Sequence, residues 1–290
     1  MVTYGELYMQ TRQCLLSMEE PEAAGPMARD LISTLAGITQ EAFLTRKNEP
    51  VEEQLCLRVD GALTRLRAGE PLPYVLGEWT FYGLPLYVSP DVLIPRDDTC
   101  AVAEMAIHKA LFLDQDPRIL DLCCGSGCIG LALASRLKDA RVTLADLSKE
   151  ALAVARKNIQ RNHMGGRVSC VQVNAMEAPP AFLGKFDMIV SNPPYVTAAE
   201  MEELPHSVKD YEPHMALYGG RDGLDFYRAI TELYKHILKP GGFLCYEFGM
   251  GQGDAVCAIL EENGFQVLER TRDYNDRERA VLAQYGRKEQ

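Results

Sequence analysis

Apolar residues in the first 75 positions recur at helical spacing. Leu31, Ile32 and Leu35 form one such group, and proline and glycine residues separate successive groups. This spacing places the apolar side chains of each group on one face of a short helix. We therefore expect residues 1–75 to form a small helical domain.

The pattern becomes strand-like between residues 76 and 98. Residues 79–82 (WTFY) and 86–88 (LYV) are rich in aromatic and β-branched side chains, and a Gly-Leu-Pro segment separates them. Two such runs around a turn predict a β-hairpin. We interpret residues 76–98 as a hairpin linker between two domains.

Strand-like and helix-like runs alternate over residues 99–290. The alternation predicts a doubly wound α/β sheet, whose ligands bind at the carboxyl ends of its strands. A helix over about 149–162 is the clearest of the intervening helices. The expected strands are 118–122, 141–145, 167–173, 186–191 and 242–248, followed by a final pair within 265–285.

Composition limits the class of protein. The 290 residues are 47% hydrophobic and 24% charged, as in a globular protein with a sizeable core. The net charge of -11 weighs against a protein that grips a phosphate backbone. Most of the 9 cysteines lie in apolar runs, no signal peptide precedes them, and the apolar runs are too short to cross a bilayer. We expect a cytoplasmic protein without a membrane partner.

A glycine-rich turn, residues 121–130 (DLCCGSGCIG), follows the first strand of the α/β domain. Its glycines allow the backbone to approach a ligand, and the next helix offers free N–H groups at its N-terminus. Asp146 ends the following strand. There its carboxylate can accept hydrogen bonds from the two hydroxyls of a ribose.

The turn alone fits two cofactors. Gly125, Gly127 and Gly130 satisfy the dinucleotide fingerprint, so the ribose at Asp146 could belong to NAD or to S-adenosylmethionine. Asp121 favours S-adenosylmethionine. A carboxylate is unfavourable beside a pyrophosphate, but it suits the amino acid end of a cationic sulfonium compound.

The tetrapeptide Asn-Pro-Pro-Tyr at residues 192–195 follows another strand and indicates the reaction. An amide nitrogen is a poor nucleophile, because its lone pair is delocalised into the carbonyl. Asn192 offers a side-chain carbonyl and Pro193 a backbone carbonyl, and together they could hold both N–H bonds of a substrate amide. Pro194 stiffens the turn, and Tyr195 could lie flat on the planar amide. Catalysis of this kind depends on orientation and electrostatic placement.

Other polar residues carry weaker signals. Cys123, Cys124 and Cys128 lie in a tight turn without a companion cluster of ligands, so we expect no metal site. His206 and His214 follow the tetrapeptide, but solvated surface histidines are the more common case. Glu247 ends a strand, and its context leaves a role in the pocket and a structural role equally open.

Taken together, these motifs resemble those of the bacterial release-factor glutamine methyltransferases over nearly the whole chain. The family has a helical N-terminal domain, a β-hairpin and a Rossmann-like class I methyltransferase domain, here residues 99–290. The matching segments are 77–83 (GEWTFYG), 92–96 (VLIPR), the glycine turn, 191–196 (SNPPYV), 212–213 (EP), 219–228 (GGRDGLDFYR), 238–242 (LKPGG) and 272–279 (RDYNDRER).

The resemblance implies a reaction and a set of contacts. The expected activity is methylation of the glutamine side-chain amide in the Gly-Gly-Gln motif of class I peptide chain release factors, by a monomer that does not bind nucleic acid directly. The substrate amide would bind Asn192, Pro193, Pro194 and Tyr195, and the helical domain would recognise the protein substrate. The implied cofactor contacts are Asp121, Cys123, Cys124, Gly125, Ser126, Gly127, Asp146, Asn192 and, near the adenine, Asn174 and Ala175.

Departures from the family pattern keep alternatives open. Cys123 replaces a glycine, Asn174 stands where an acid is usual, and Ala175 replaces a bulky residue. These changes motivate a degenerate cofactor-binding module without activity as one alternative.

A second alternative is a methyltransferase that acts on a glutamine of a ribosomal protein. A DNA adenine methyltransferase would need a recognition domain and a basic face, and the sequence indicates neither.

Overall fold

The computed structural model describes residues 1–18, 20–113 and 116–286. The chain forms two compact units. One comprises Met1–Glu78 together with His206–Tyr211, and the other comprises Trp79–Pro205 and Glu212–Gln290. We call them the helical unit and the α/β unit.

The helical unit contains five helices from the N-terminal part of the chain. Thr3 begins the first helix with a capping box, in which its side chain accepts from the Glu6 N–H and the Glu6 carboxylate accepts from the Thr3 N–H. Gly37 ends the second helix in the left-handed conformation, at φ 67°. The helices are α1 (Tyr4–Leu15), α2 (Pro21–Ala36), α3 (Gln40–Thr45), α4 (Glu53–Arg67) and α5 (Leu72–Leu76).

A short helix from a distant part of the sequence, His206–Lys209, completes the helical unit. The Tyr211 hydroxyl donates a hydrogen bond of 2.7 Å to the carbonyl of Ala68. His206 lies beside Gly69 and pairs with Asp210 at 2.8 Å. The segment after the tetrapeptide therefore belongs to this unit by its packing.

The α/β unit contains a hairpin and a seven-stranded sheet. The hairpin is formed by β1 (Glu78–Phe81), whose first residue belongs to the helical unit, and β2 (Leu84–Tyr87). The sheet strands are β3 (Arg118–Leu122), β4 (Arg141–Asp146), β5 (Val168–Gln172), β6 (Phe186–Ser191), β7 (Leu238–Glu247), β8 (Phe265–Arg272) and β9 (Glu278–Tyr285). The helices are α6 (Cys100–Ala110), α7 (Cys128–Arg136), α8 (Lys149–Arg161), α9 (Ala198–Glu203), α10 (Asp225–Tyr234) and α11 (Gly253–Glu262).

The strand order is β5-β4-β3-β6-β7-β9-β8. The first five strands are parallel, and β9 is antiparallel to both of its neighbours. Side chains alternate between faces, so Ile119 packs into a core with α6 and α7, and Leu120 packs into a core with α10 and α11. The predicted doubly wound α/β fold is therefore confirmed, and the antiparallel insertion of β9 makes the sheet mixed.

The topology determines where a ligand can bind. Chain connections leave β3 and β6 toward opposite edges of the sheet, which opens a crevice at the carboxyl ends of these adjacent strands. Leu122 pairs with Ser191 at the ends of the two strands. The residues that follow them, Cys123 and Asn192, are therefore brought to the same crevice.

Candidate active site

A cavity of about 320 Å³ lies at the carboxyl ends of β3, β4 and β6, entirely within the α/β unit. Most of the predicted cofactor contacts and part of the tetrapeptide line its wall. The predicted residues on the wall are Cys123, Cys124, Gly125, Ser126, Asp146, Asn174, Ala175, Asn192 and Pro194.

The three glycines of the turn serve different purposes. A Cβ at Gly125 would meet no atom of the described residues within 4 Å, so the backbone at φ 52° is open to a ligand. A Cβ at Gly127 would lie 2.7 Å from Leu144 Cδ1, and one at Gly130 would lie 2.3 Å from Leu144 Cδ2. Gly127, a predicted cofactor contact, and Gly130 therefore allow α7 to pack closely on β4.

Asp146 is oriented by two backbone donors. Its Oδ2 accepts the Gly125 N–H at 2.8 Å, and its Oδ1 accepts the Ser148 N–H at 2.9 Å. Each carboxylate oxygen can accept a further hydrogen bond, so both remain available to hydroxyl groups in the cavity. Burial raises the pKa of Asp146, although its bonds to Ser148 and Gly125 oppose the shift.

Asp121 lies beneath the turn and is fully buried. Its Oδ2 accepts the Gly130 N–H at 2.7 Å, and its Oδ1 has no hydrogen-bond partner among the described residues. Burial raises the pKa of Asp121 to about 7. A cation near this carboxylate would stabilise its ionised form. Asp121 therefore holds the start of α7 and contributes negative charge behind the cavity wall.

The residues at the predicted adenine end make bonds among themselves. Asn174 donates from Nδ2 to Glu177 Oε1 at 2.8 Å and accepts the Met176 N–H at 3.0 Å. Ala175 is buried beside it. The Asn174 side chain thus closes a local turn, and the small Ala175 leaves room in the cavity.

The residues present fit S-adenosylmethionine. The unpartnered Asp121 Oδ1 and Ser126 Oγ supply buried acceptors near the turn, and Asp146 retains free acceptor positions. The open approach to Gly125 provides space against the backbone. The Asp146 carboxylate on the wall and the Asp121 carboxylate behind it complement a cationic ligand that carries a ribose.

The tetrapeptide divides between the cavity and the core. Asn192 and Pro194 line the cavity, whereas Pro193 is buried and Tyr195 packs partly against the core on the α10 side. Gln252 Nε2 donates to the Tyr195 carbonyl at 3.0 Å. The Tyr195 ring position therefore differs from one lying flat in the cavity, while the backbone of the motif is firmly held.

Gly219 packs directly against the tetrapeptide. A Cβ at this position would lie 2.6 Å from the Pro194 carbonyl oxygen and 2.6 Å from Tyr195 Cα. Gly219 N–H also donates to the Val196 carbonyl at 2.9 Å. Since real Cβ contacts are not this short, any side chain here must displace the motif.

Gly219→Ala should therefore lower the free energy of unfolding by about 1–3 kcal/mol, a common cost of overpacking. It should also reduce kcat more than tenfold, because small misplacements of catalytic groups are costly. Urea denaturation and methyl-transfer rates would measure the two effects. Gly165→Ala is the matched control, since a Cβ there would meet no described atom within 4 Å. Equal behaviour of the two variants would contradict the prediction.

Cys123 adopts the left-handed conformation, with φ 61°. This conformation costs a non-glycine residue roughly 1–2 kcal/mol. The sequence left open whether this position has a positive φ, and the structure shows that it does; glycine would adopt this conformation without strain.

Cys123→Gly should raise the free energy of unfolding by up to roughly 1 kcal/mol, since relief of strain is partly offset by the greater freedom of glycine in the unfolded chain. Cys124→Gly is the control. Cys124 is 6% exposed and packs in the core, so its loss should destabilise the protein. Chemical denaturation of both variants measures the difference. A destabilised Cys123→Gly would show that the thiol contributes more than the strain costs.

The sequence did not reveal several residues that shape the site. Asn158 is fully buried, exchanges two hydrogen bonds with the backbone of Tyr87, and donates to the Ser126 carbonyl at 2.9 Å. It thereby ties the glycine turn to the hairpin. Arg96 and Thr99 line the cavity, and Arg96 pairs with the buried Glu212. The matching segment at 92–96 was a signal for the first of these two.

The residues given little weight in the sequence lie elsewhere. His206 belongs to the helical unit, and His214 contacts the ring of Tyr218. Within the described residues, no group of histidine, cysteine or acidic side chains is arranged to hold a metal ion. Nor does any helix in the described ranges have the length and apolar character needed to span a membrane.

Similarity to known proteins covers both parts of the chain. A family model described as a methyltransferase small domain matches residues 103–207, and one described as a PrmC N-terminal domain matches residues 6–77. The release factor glutamine methyltransferase of Clostridium acetobutylicum is 36% identical over 98% of this chain and 94% of its own length. The chain belongs to the release factor glutamine methyltransferase family.

Further similarities agree with this family. The release factor glutamine methyltransferase of Geobacter sulfurreducens is 38% identical and covers 88% of each chain. A methyltransferase structure from Pyrococcus furiosus is 19% identical, with a TM-score of 0.51 over 81% of this chain and 100% of that one, which supports the fold alone. The family resemblance and the Rossmann-like methyltransferase fold predicted from the sequence are confirmed.

Proposed function

We propose that the chain transfers the methyl group of S-adenosylmethionine to the side-chain amide nitrogen of the Gly-Gly-Gln glutamine in class I release factors. The names of its relatives support this substrate. The observation that carries the proposal is the position of Asn192 on the cavity wall, beside the turn at Gly125 and the acceptor Asp146.

The chain's own residues would orient the substrate amide. Asn192 Nδ2 points to Thr99 Oγ1 at 3.4 Å, which leaves Asn192 Oδ1 free to accept one N–H of the amide. The Pro193 carbonyl would accept the other N–H of the substrate amide. With both N–H bonds held, the lone pair of the amide nitrogen has one fixed direction. Pro194 and Tyr195 keep these two acceptors in place, and the nitrogen can lose its proton to water after transfer.

The cofactor contacts follow from the same wall. Asp146 would bind the ribose, residues 123–127 the amino acid portion with Asp121 behind them, and Asn174 with Ala175 would border the adenine. Asn192 would lie where cofactor and substrate meet. S-adenosylmethionine, when bound, supplies an electrophilic methyl group on a sulfonium.

The helical unit is the proposed recognition surface for the protein substrate, in keeping with an expected recognition domain over residues 1–75. We take the partner to be a protein and not a nucleic acid, given the net charge of -11. We further propose that the chain acts as a monomer in the cytoplasm, where release factors function.

The test is transfer of labelled methyl from S-adenosylmethionine to purified unmethylated release factor. The same factor with its Gly-Gly-Gln glutamine replaced by alanine is the control. Label on the first and none on the second is the expected result. Label on a ribosomal protein instead would redirect the substrate, and a chain that binds no cofactor in calorimetry would be a non-enzymatic module.

A further inference from the structure

Glu247 is the last residue of β7 and lies next to Asn192. Strands β6 and β7 are parallel, with Ser191 opposite Tyr246. The next residues along the two chains, Asn192 and Glu247, therefore stand side by side at the carboxyl edge of the sheet. Glu247 is only 1% exposed. A buried carboxylate is costly unless its environment compensates it, so its placement behind the site calls for a role.

The Glu247 carboxyl belongs to a small polar group with Thr99 and Asn192. The side chains of both residues face the carboxyl group and favour its charged form. Asn192 Nδ2 is also directed to Thr99 Oγ1. Glu247 Oε2 has no hydrogen-bond partner among the described residues. Glu247 thus retains a free acceptor atom. Its carboxyl lies behind Thr99 and Asn192, which line the cavity.

The chemistry of these groups orders their protons. An ionised carboxylate only accepts, so it attracts the hydrogen of the Thr99 hydroxyl and leaves the hydroxyl oxygen to accept from Asn192 Nδ2. The Asn192 amide then presents Oδ1 to the cavity. A protonated Glu247 carries a donor of its own. It no longer fixes the direction of the Thr99 hydrogen, so the Asn192 amide loses the interaction that sets its orientation.

We propose that Glu247 is a positioning residue, whose carboxylate acts directly and through Thr99 to hold the Asn192 side-chain carbonyl toward the substrate amide. The inference rests on the proposed function and deepens it. Asn192 contacts the substrate, whereas Glu247 acts only through Asn192 and Thr99.

The orientation should depend on pH. Burial raises the pKa of Glu247 to about 7, and Thr99 and Arg279 oppose the shift. The other titratable groups that face it are Asp98, Cys100, Cys128, Tyr195 and Tyr227. Because the ionised form is the orienting one, kcat should fall as the pH decreases through about 7.

The first test compares the Glu247→Gln, Thr99→Val and Thr99→Ser variants with the wild-type chain on release factor. Glu247→Gln should lower kcat at pH 8 about tenfold and abolish the pH limb near 7, while the dissociation constant of S-adenosylmethionine stays within about threefold. Thr99→Val should show a similar loss of kcat. Thr99→Ser keeps the hydroxyl and should therefore have a kcat close to that of the wild-type chain. The double variant with Glu247→Gln and Thr99→Val should lose little more than either single variant.

A second test needs no methyl transfer. The side-chain amide of Asn192 can be followed by 15N NMR, with its signal assigned by its disappearance in Asn192→Asp. Its shift should titrate with a midpoint near pH 7 in the wild-type chain and stay constant in Glu247→Gln. A wild-type pH profile in Glu247→Gln, or an Asn192 signal that ignores this variant, would overturn the inference. An inactive wild-type chain with a titrating Asn192 signal would instead count against the proposed substrate.

Discussion

Asn192→Ala should reduce methyl transfer to release factor by about a thousandfold. The variant removes the side-chain carbonyl that holds one N–H of the substrate amide, and loss of one such preorganised group typically costs a factor of 10²–10³ in kcat. Loss of the bond to Thr99 also frees the neighbouring hydroxyl. The measurement is single-turnover transfer of labelled methyl at saturating cofactor.

The effect on cofactor binding separates chemistry from folding. Calorimetry should give a dissociation constant for S-adenosylmethionine within about tenfold of the wild-type value, since the ribose and turn contacts remain. Asn263→Ala is the control, because Asn263 bonds the Ile259 carbonyl at the end of α11 and not a cavity group. Retained transfer in Asn192→Ala would remove Asn192 from the proposed mechanism.

Asp146→Asn should weaken S-adenosylmethionine binding by about a hundredfold. Both carboxylate oxygens accept backbone N–H groups, from Gly125 and Ser148, so an amide must turn its NH₂ toward one of these donors. The ribose would also lose a charged acceptor, and hydrogen bonds to charged groups contribute about 1.5–3 kcal/mol each. Isothermal titration calorimetry measures the change directly.

Asp139→Asn makes the same chemical change at an exposed position outside the cavity. It should leave the dissociation constant unchanged within error. If Asp146→Asn also binds within threefold of the wild-type chain, Asp146 does not bind the ribose. Of these two variants, only Asp146→Asn should have a lower melting temperature than the wild-type chain. Its amide weakens the hydrogen bonds that hold the turn at Gly125.

The linear sequence was sufficient for the fold class and for many of the residues that the structure brings together at the cavity. Short continuous apolar runs such as 186–191 are typical of central strands in a parallel sheet, because helices cover both faces of the sheet. A glycine turn after β3 and an acid at the end of β4 are local signals, and parallel strands bring such positions to one edge of the sheet. The turn, Asp146 and the tetrapeptide were therefore found from their positions alone.

Tertiary structure decided what depends on contacts between distant residues. The sequence could not separate Gly125, which is open to the cavity, from Gly127, which packs against Leu144. It left Glu247 undecided, because only the pairing of β6 with β7 places its carboxyl behind Asn192. The addition of His206–Tyr211 to the helical unit is likewise a matter of packing. Local spacing specifies elements and their ends, whereas the neighbours of a side chain depend on how the elements come together.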